Sequence, residues 1–351
     1  MSKLTKALTA AAGNAGAEFT QFLTASSSRK NLVITPETRI FGLDESTDAL
    51  TELDISGGPD TALAAAFAPE GDVLFTVELV SGVSGTCYLK AYEWSGTGLG
   101  ALITQATIIG STNTNLFSQI AVAPAHTRAG AAGINQIAVY TSGAWSVYIC
   151  AFDGSTLTYQ TGWTNYDATT QRNMSFDFAG NRIVQAQFRN GYGVKSRNIT
   201  SGGTLSNTST YESTASQHAV FNGNSDHILV AMYQGDKIFP ITTTSPSYTS
   251  SNATVGVCCN SDNLAAWSWG VGFVTGSGGF SAFATFPNIP GNTELYISNS
   301  NLYDNNIRYI FAAGYRNSQR LYKVDTNAQT VTDLGVPFTG SYDPNVGSFS
   351  R

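Results

Sequence analysis

The chain has 351 residues, of which 42% are hydrophobic and 12% charged, with a net charge of −6. That length makes one large domain or two ordinary ones, and the charged share is about half the usual roughly 25%. The surface must therefore be Ser, Thr, Asn, Gln and Gly, which excludes a coiled coil, a helical bundle and a charge-rich disordered chain. There is no Lys/Arg cluster to meet nucleic acid. No apolar stretch approaches the ~20 residues of a membrane helix. A soluble chain with neither nucleic acid nor membrane as partner is expected.

Residues 1–30 differ from the rest and are predicted to form an attachment segment, with 31–351 as the main domain. Leu4, Ala7, Leu8 and Ala11 fall at helical spacing. Gly13 and Gly16 weaken that helix, and Phe19, Phe22 and Leu23 add a second short apolar stripe. A partly helical segment of this size cannot bury its own face. Leu4, Leu8, Phe19, Phe22 and Leu23 are thus the expected docking residues.

From about residue 31 the apolar period becomes two. Short β-branched and aromatic runs such as Val73–Val77, Ile137–Tyr140, Ile228–Ala231 and Tyr309–Phe311 alternate with Gly/Asn/Asp/Ser turns. Repetition narrows the choice among all-β folds. Arg39-Ile-Phe-Gly-Leu-Asp44 followed by Leu50-Thr-Glu-Leu53 matches Arg320-Leu-Tyr-Lys-Val-Asp325 followed by Val331-Thr-Asp-Leu334. Further hairpins occur at Tyr88–Gly96 and Val147–Gly154, weaker ones end near Ile199 and Ile241, and another lies near Phe283 or Phe286. Six steps carry the pattern from residue 43 to 324, about 47 residues each, near the ~40–50 residues of a propeller blade. An upstream apolar run and turn precede most hairpins, as in Ala64–Leu74, Met174–Ile183 and Ala219–Ile228. The expected fold is all-β: a single β-propeller of seven four-stranded blades. The stretch from Phe338 to Phe349 would pair with 31–55 and close the ring, removing exposed sheet edges. Six blades is the alternative, because 255–300 is the weakest copy.

Two stretches carry a resemblance. Ala66-Phe-Ala-Pro-Glu-Gly-Asp72 resembles the turn of WD40-like propellers, and Leu89-Lys-Ala-Tyr-Glu-Trp-Ser-Gly96 resembles a hairpin of bacteriophage propeller proteins. The WD and G-H pairs of eukaryotic WD40 proteins are absent. Residues Leu4 to Gly16 are similar to the N-terminus of structural proteins of marine tailed phages. The resemblance implies a tail- or capsid-associated virion protein present in multiple copies. Other virion proteins (capsid, portal or tail) would be its partners through the N-terminal segment.

Signals for chemistry are few. Cys87, Cys150, Cys258 and Cys259 form no C-x-x-C pair, and with three His they supply no zinc cluster. They read as reduced strand residues. Asp44, Asp153 and Asp325 share one post-strand position and read as turn caps. His126, His218 and His227 read as strand or surface residues, Gly276-Ser-Gly-Gly279 as a flexible turn, and Asp304-Asn-Asn306 as a turn rather than a Ca²⁺ loop. No catalytic residue, cofactor or metal is expected, and the chain is not expected to be an enzyme. Trp163, Tyr166, Trp267 and Trp269 either fill the spaces between sheets or present stacking faces to a host-surface glycan. Three functions follow in order: a structural interaction disc of the virion, a host-surface or glycan-binding module, and a polysaccharide-degrading enzyme.

Overall fold

The computed structural model describes residues 29–35, 39–53, 55, 58, 62–79, 86–109, 118–123, 127–128, 131–132, 134–141, 146–164, 171–187, 193–200, 203–290, 294–298, 305–313, 319–336 and 346–349. Leu4, Leu8, Phe19, Phe22 and Leu23 lie outside these residues, as do His126, Tyr166 and Asp304.

Among the described residues the structure is all-β, with seven four-stranded antiparallel sheets. A small extra hairpin pairs Thr127–Arg128 with Ala131–Ala132. The second to seventh sheets are each built from chain neighbours in the sequence order of their strands, the third with that hairpin inserted. Their first strands are Ala62–Phe67, Ser118–Val122, Gln171–Phe176, His218–Phe221, Val257–Cys259 and Glu294–Ile297. The first sheet takes its corresponding strand from the far end of the chain, since Val346–Phe349 pairs antiparallel with Arg29–Thr35. Each first strand touches the next in this order, and Val346–Phe349 touches both Glu294–Ile297 and Ala62–Phe67.

Period-two patterning explains the packing. In His227–Ala231 all five residues are buried, and neighbours point to opposite sides. Ile228 and Val230 enter a core shared with Val184, Ala186 and Val194 of the fourth sheet. Leu229 and Ala231 enter one shared with Val257, Ala265 and Trp267 of the sixth. The same alternation yields seven apolar cores, each between two consecutive sheets. The core of Leu32, Phe41 and Leu43 with Tyr309, Phe311 and Leu321 joins the seventh sheet to the first. Aromatic pairs bridge these spaces, Phe75 against Phe152 at 5.3 Å and Phe286 against Tyr322 at 4.9 Å between ring centres.

Antiparallel pairing sends the connections to two ends. The turn end joins first to second and third to fourth strands; the loop end carries the rest. At the turn end one hairpin recurs four times. The backbone N–H of Ala68, Asp177, Asn222 and Asn260 donates to the carbonyl of Val73, Arg182, His227 and Leu264 respectively. Gly71, Gly180, Ser225 and Asn263 supply the positive φ of each tip, between 60° and 69°. The third-to-fourth turns recur too. Oδ1 of Asp44, Asp153 and Asp325 accepts the N–H of Ser46, Ser155 and Asn327, at 2.9–3.0 Å. Ser95, Thr200 and Thr275 do the same with a hydroxyl. The turn-cap reading of the three aspartates agrees with this geometry.

The turn of the sixth hairpin does not follow Phe283 or Phe286. Its third strand is Gly270–Val274 and its turn is 275–279, so Phe283 stands on the fourth strand, Phe280–Ala284. This sheet's strands are short and rich in Ala and Gly, so the later phenylalanines outweighed them in the pattern. Gly276 to Gly279 form that turn.

Outer strands leave free edges, which invite pairing with another chain. Leu99–Ile109, Leu157–Thr164, Leu205–Glu212 and Phe280–Ala284 are interrupted by bulges. Tyr248–Thr249 is two residues long. Ala49–Leu53 and Thr330–Asp333 carry Glu52 and Asp333, ion-paired to Arg39 and Arg320. Every outer edge is thus blunted.

Candidate functional site

Side chains at the turn end join consecutive sheets. Phe178 N–H donates to Ser225 Oγ at 3.0 Å, and Asn222 Nδ2 to Asn263 Oδ1 at 3.0 Å. Arg308 pairs with Asp262, while Lys323 and Tyr309 both reach Asp48, at 2.8 and 2.6 Å. These ties run from the fourth sheet through the seventh to the first. Within the fifth-sheet hairpin, Asn222 Oδ1 accepts the N–H groups of Asp226 and His227. Asp226 Oδ1 accepts Asn222 Nδ2 and meets His227 Nδ1, each at 2.7 Å. Burial raises the Asp226 carboxyl, but the bonds from His227 and Asn222 outweigh it and hold it below the ordinary range.

At the loop end the fifth and sixth sheets meet around Asp236, which is fully buried. It accepts Trp269 Nε1 at 2.7 Å, Thr254 Oγ1 at 2.8 Å and Met232 N–H at 3.1 Å. Burial pushes its carboxyl up to about 6 despite these donors. Lys237 pairs with Glu212 of the fourth sheet, and Tyr233 is 53% exposed.

A second polar cluster lies on the second sheet. Glu78 accepts Lys90 Nζ at 2.7 Å, Tyr92 OH at 3.1 Å and Thr76 Oγ1. Lys90 sits 6.0 Å from the rings of Tyr88 and Tyr92. Burial lowers the Lys90 ammonium, but Glu78 outweighs it and raises it; burial and then Glu78 raise Tyr92. A lysine base or a tyrosinate needs the opposite shift, so this cluster holds strands together. The thiols behave alike: burial lifts Cys87 to about 11 and Cys150 and Cys259 to about 12, so none is a thiolate nucleophile. Burial lowers His218 to about 4, and its Nδ1 lies 2.6 Å from Val257 O. An open hollow of about 370 Å³ is lined by Ser209, Tyr211, Ile241 and Thr242 to Ser245.

The structure separates the aromatic candidates. Trp267 is a correction: it is 0% exposed, stacked on Trp269 at 5.8 Å and edge-on to Phe280 at 4.6 Å, so neither face is open to a sugar. It fills the space between the fifth and sixth sheets. Trp163 is half-buried with the Arg197 guanidinium 5.0 Å over its ring. Trp269 is half-buried with its indole N–H fixed by Asp236. Of the Asp304-Asn-Asn306 stretch, Asn305 and Asn306 are described; they stand in a turn where Asn305 O accepts the Arg308 guanidinium. Sequence reasoning missed Asp236 and Glu78, because their partners Trp269, Thr254, Lys90 and Tyr92 stand on other strands or loops, 12 to 33 residues away. The adjacent pair Asp226-His227 was visible in the chain but was absorbed into its turn.

No family model and no curated protein matches the chain. Solved structures do. A protein from Lactobacillus plantarum is 13% identical with a TM-score of 0.65, covering 92% of this chain and 99% of its own. The periplasmic gluconolactonase of Pseudomonas aeruginosa is 13% identical with a TM-score of 0.63 over the same shares. The β-propeller domain of Cps50 (Swd1) from Myceliophteria thermophila is 12% identical with a TM-score of 0.55, covering 82% and 90%. The expectation that this chain is not an enzyme is corrected here. It rested on missing motifs, yet nearly the whole of a gluconolactonase shares this architecture without those motifs being legible at 13% identity. The likeness shows the fold, a β-propeller.

Proposed function

We propose that the chain is a seven-bladed propeller, closed by Val346–Phe349 against Arg29–Thr35, that serves as a rigid protein-interaction disc of a phage virion. Residues 1–28 would dock it to capsid, portal or tail proteins through Leu4, Leu8, Phe19, Phe22 and Leu23. The observation that carries this reading is the run of side-chain ties between consecutive sheets at the turn end, Phe178–Ser225, Asn222–Asn263, Asp262–Arg308 and Lys323–Asp48. Together with blunted outer edges, they favour a stiff body that associates through its ends and tail rather than its rim. The phage resemblance of residues 4–16 supplies the context. Deleting residues 1–28 should leave the melting temperature of the disc unchanged and abolish its incorporation into particles. Normal incorporation would defeat the docking claim.

A second reading, a glycan-binding face at the loop end, is favoured by Trp269. Asp236 fixes its indole at a partly open position beside the loop that exposes Tyr233. Binding on a glycan array that disappears in Trp269→Ala would support it; silence of the intact chain on the array would remove it.

A further inference from the structure

The fifth sheet breaks the turn-end pattern in one place. Its third-to-fourth connection, 241–247, runs seven residues where its counterparts have four or five. It ends on Ser247, which is exposed and lies against the sixth-sheet turn. The same turn covers His227. A methyl group placed on Gly278 would sit 2.3 Å from Ser247 Oγ and 2.5 Å from His227 Nε2. The two atoms therefore lie within about 5 Å of each other, and only a glycine leaves the space between them clear.

The other side of the imidazole is already fixed. The Asp226 carboxylate can only accept, so the proton of a neutral His227 ring is on Nδ1, 2.7 Å from Oδ1. Nε2 is then the bare base, facing Ser247. Asn222 holds the pair through the N–H groups of both residues. Ser247 Oγ lies 2.9 Å from Gly278 O and 3.2 Å from Ile238 O, so its hydroxyl has to turn from these carbonyls toward Nε2 when substrate binds. Catalytic hydrogen bonds are commonly long until substrate binds.

The geometry points to a Ser247–His227–Asp226 hydrolytic triad that cleaves small carboxylic esters at the turn end of the fifth sheet. Ser247 Oγ adds to the ester carbonyl carbon while His227 Nε2 takes the hydroxyl proton. The tetrahedral adduct collapses by breaking the bond to the alcohol oxygen, which leaves with the proton from Nε2. Water then adds to the acyl-serine and gives its proton to Nε2; the second adduct breaks its bond to Ser247 Oγ, which takes that proton back from Nε2, and the carboxylic acid leaves. Asp226 is a positioning residue: it holds the ring and its tautomer and balances the imidazolium charge.

The test uses the full chain with p-nitrophenyl acetate and a fluorophosphonate. Peptide mass spectrometry should place the phosphonyl group on Ser247. Both labelling and nitrophenol release should fall to background in Ser247→Ala, whose exposed hydroxyl is dispensable for folding as checked by melting temperature. His227→Gln should abolish labelling as well. Asp226→Asn, which turns the ring to the wrong tautomer, should lower kcat by roughly 10²–10⁴-fold with KM little changed, and Asp226→Glu should recover part of it. Label spread over other residues, or nitrophenol release in Ser247→Ala at the intact rate, would overturn the proposal.

Discussion

The two ends of the molecule are built on different rules. At the turn end, connections of four or five residues repeat, and each is closed by an oxygen a few residues from the N–H that it accepts. At the loop end the contacts around Asp236 are of another kind. Asp236 reaches Met232 four residues away but also Thr254 and Trp269, the last in another sheet. The turn end carries local chemistry copied from sheet to sheet, and the Asp236 cluster is tertiary chemistry made where two sheets meet. Repeated local bonds give the sheets a common frame, and departures from the repeat, such as 241–247, stand out as sites with another use.

Both ends depend on consecutive sheets staying packed, so the strongest test removes the packing itself. Deleting residues 346–351 takes away the strand between Glu294–Ile297 and Ala62–Phe67. It should lower the chemical-denaturation midpoint more than any single substitution, and a midpoint equal to that of the intact chain would separate the first sheet from the seventh. Trp267→Ala should come next, costing about 3–5 kcal/mol as a cavity opens between the fifth and sixth sheets. A loss below about 1 kcal/mol would mean that the site collapses freely.

The loop end should also respond to pH. Asp236 is raised in the folded chain to about 6 from 3.8. Its contribution favours the folded state fully below the unfolded value and fades as pH rises through 6, because the buried carboxyl must then ionise in place. The difference amounts to roughly 3 kcal/mol. Urea midpoints at pH 4 and pH 7, compared between the intact chain and Asp236→Ala, isolate this residue from the carboxylates that titrate the other way. The tryptophan emission should shift over the same interval, since Trp269 Nε1 donates to the carboxyl. A difference between the two chains that does not change with pH would assign Asp236 a packing role alone.

How much of this was legible in the chain follows the same division. Asp44, Asp153 and Asp325 could be read as caps because cap and target are two residues apart. The fold was legible because strands buried on both faces leave runs such as His227–Ala231 between punctuating turns. The sixth hairpin was misplaced because its register is set by Gly270 and Gly272 passing close to neighbouring backbone rather than by an apolar pattern. Placing a side chain on Gly272 would put it 2.1 Å from Ser281 O. Trp267 could be stacking or packing on sequence alone, since the fifth-sheet residues of the core it fills, Leu229 and Ala231, are far away in the chain. The approach of Ser247 to His227 was equally hidden: it depends on a glycine in the next sheet.

The smallest effect sharpens the comparison within the turn end itself. Asp177 and Asp153 do the same job, each accepting two backbone N–H groups with Oδ1. Asp177 is 3% exposed, and burial raises its carboxyl against those bonds. Asp153 is exposed, and the N–H groups of Ser155 and Thr156 lower it. Replacing Asp177 by Ala leaves two donors in a place water reaches poorly and should cost about 2 kcal/mol. Replacing Asp153 by Ala lets water take over the donors, so its loss in a urea titration should be distinctly smaller. Equal losses would mean that the caps act through the turn conformation alone, because burial is the main difference between the two sites.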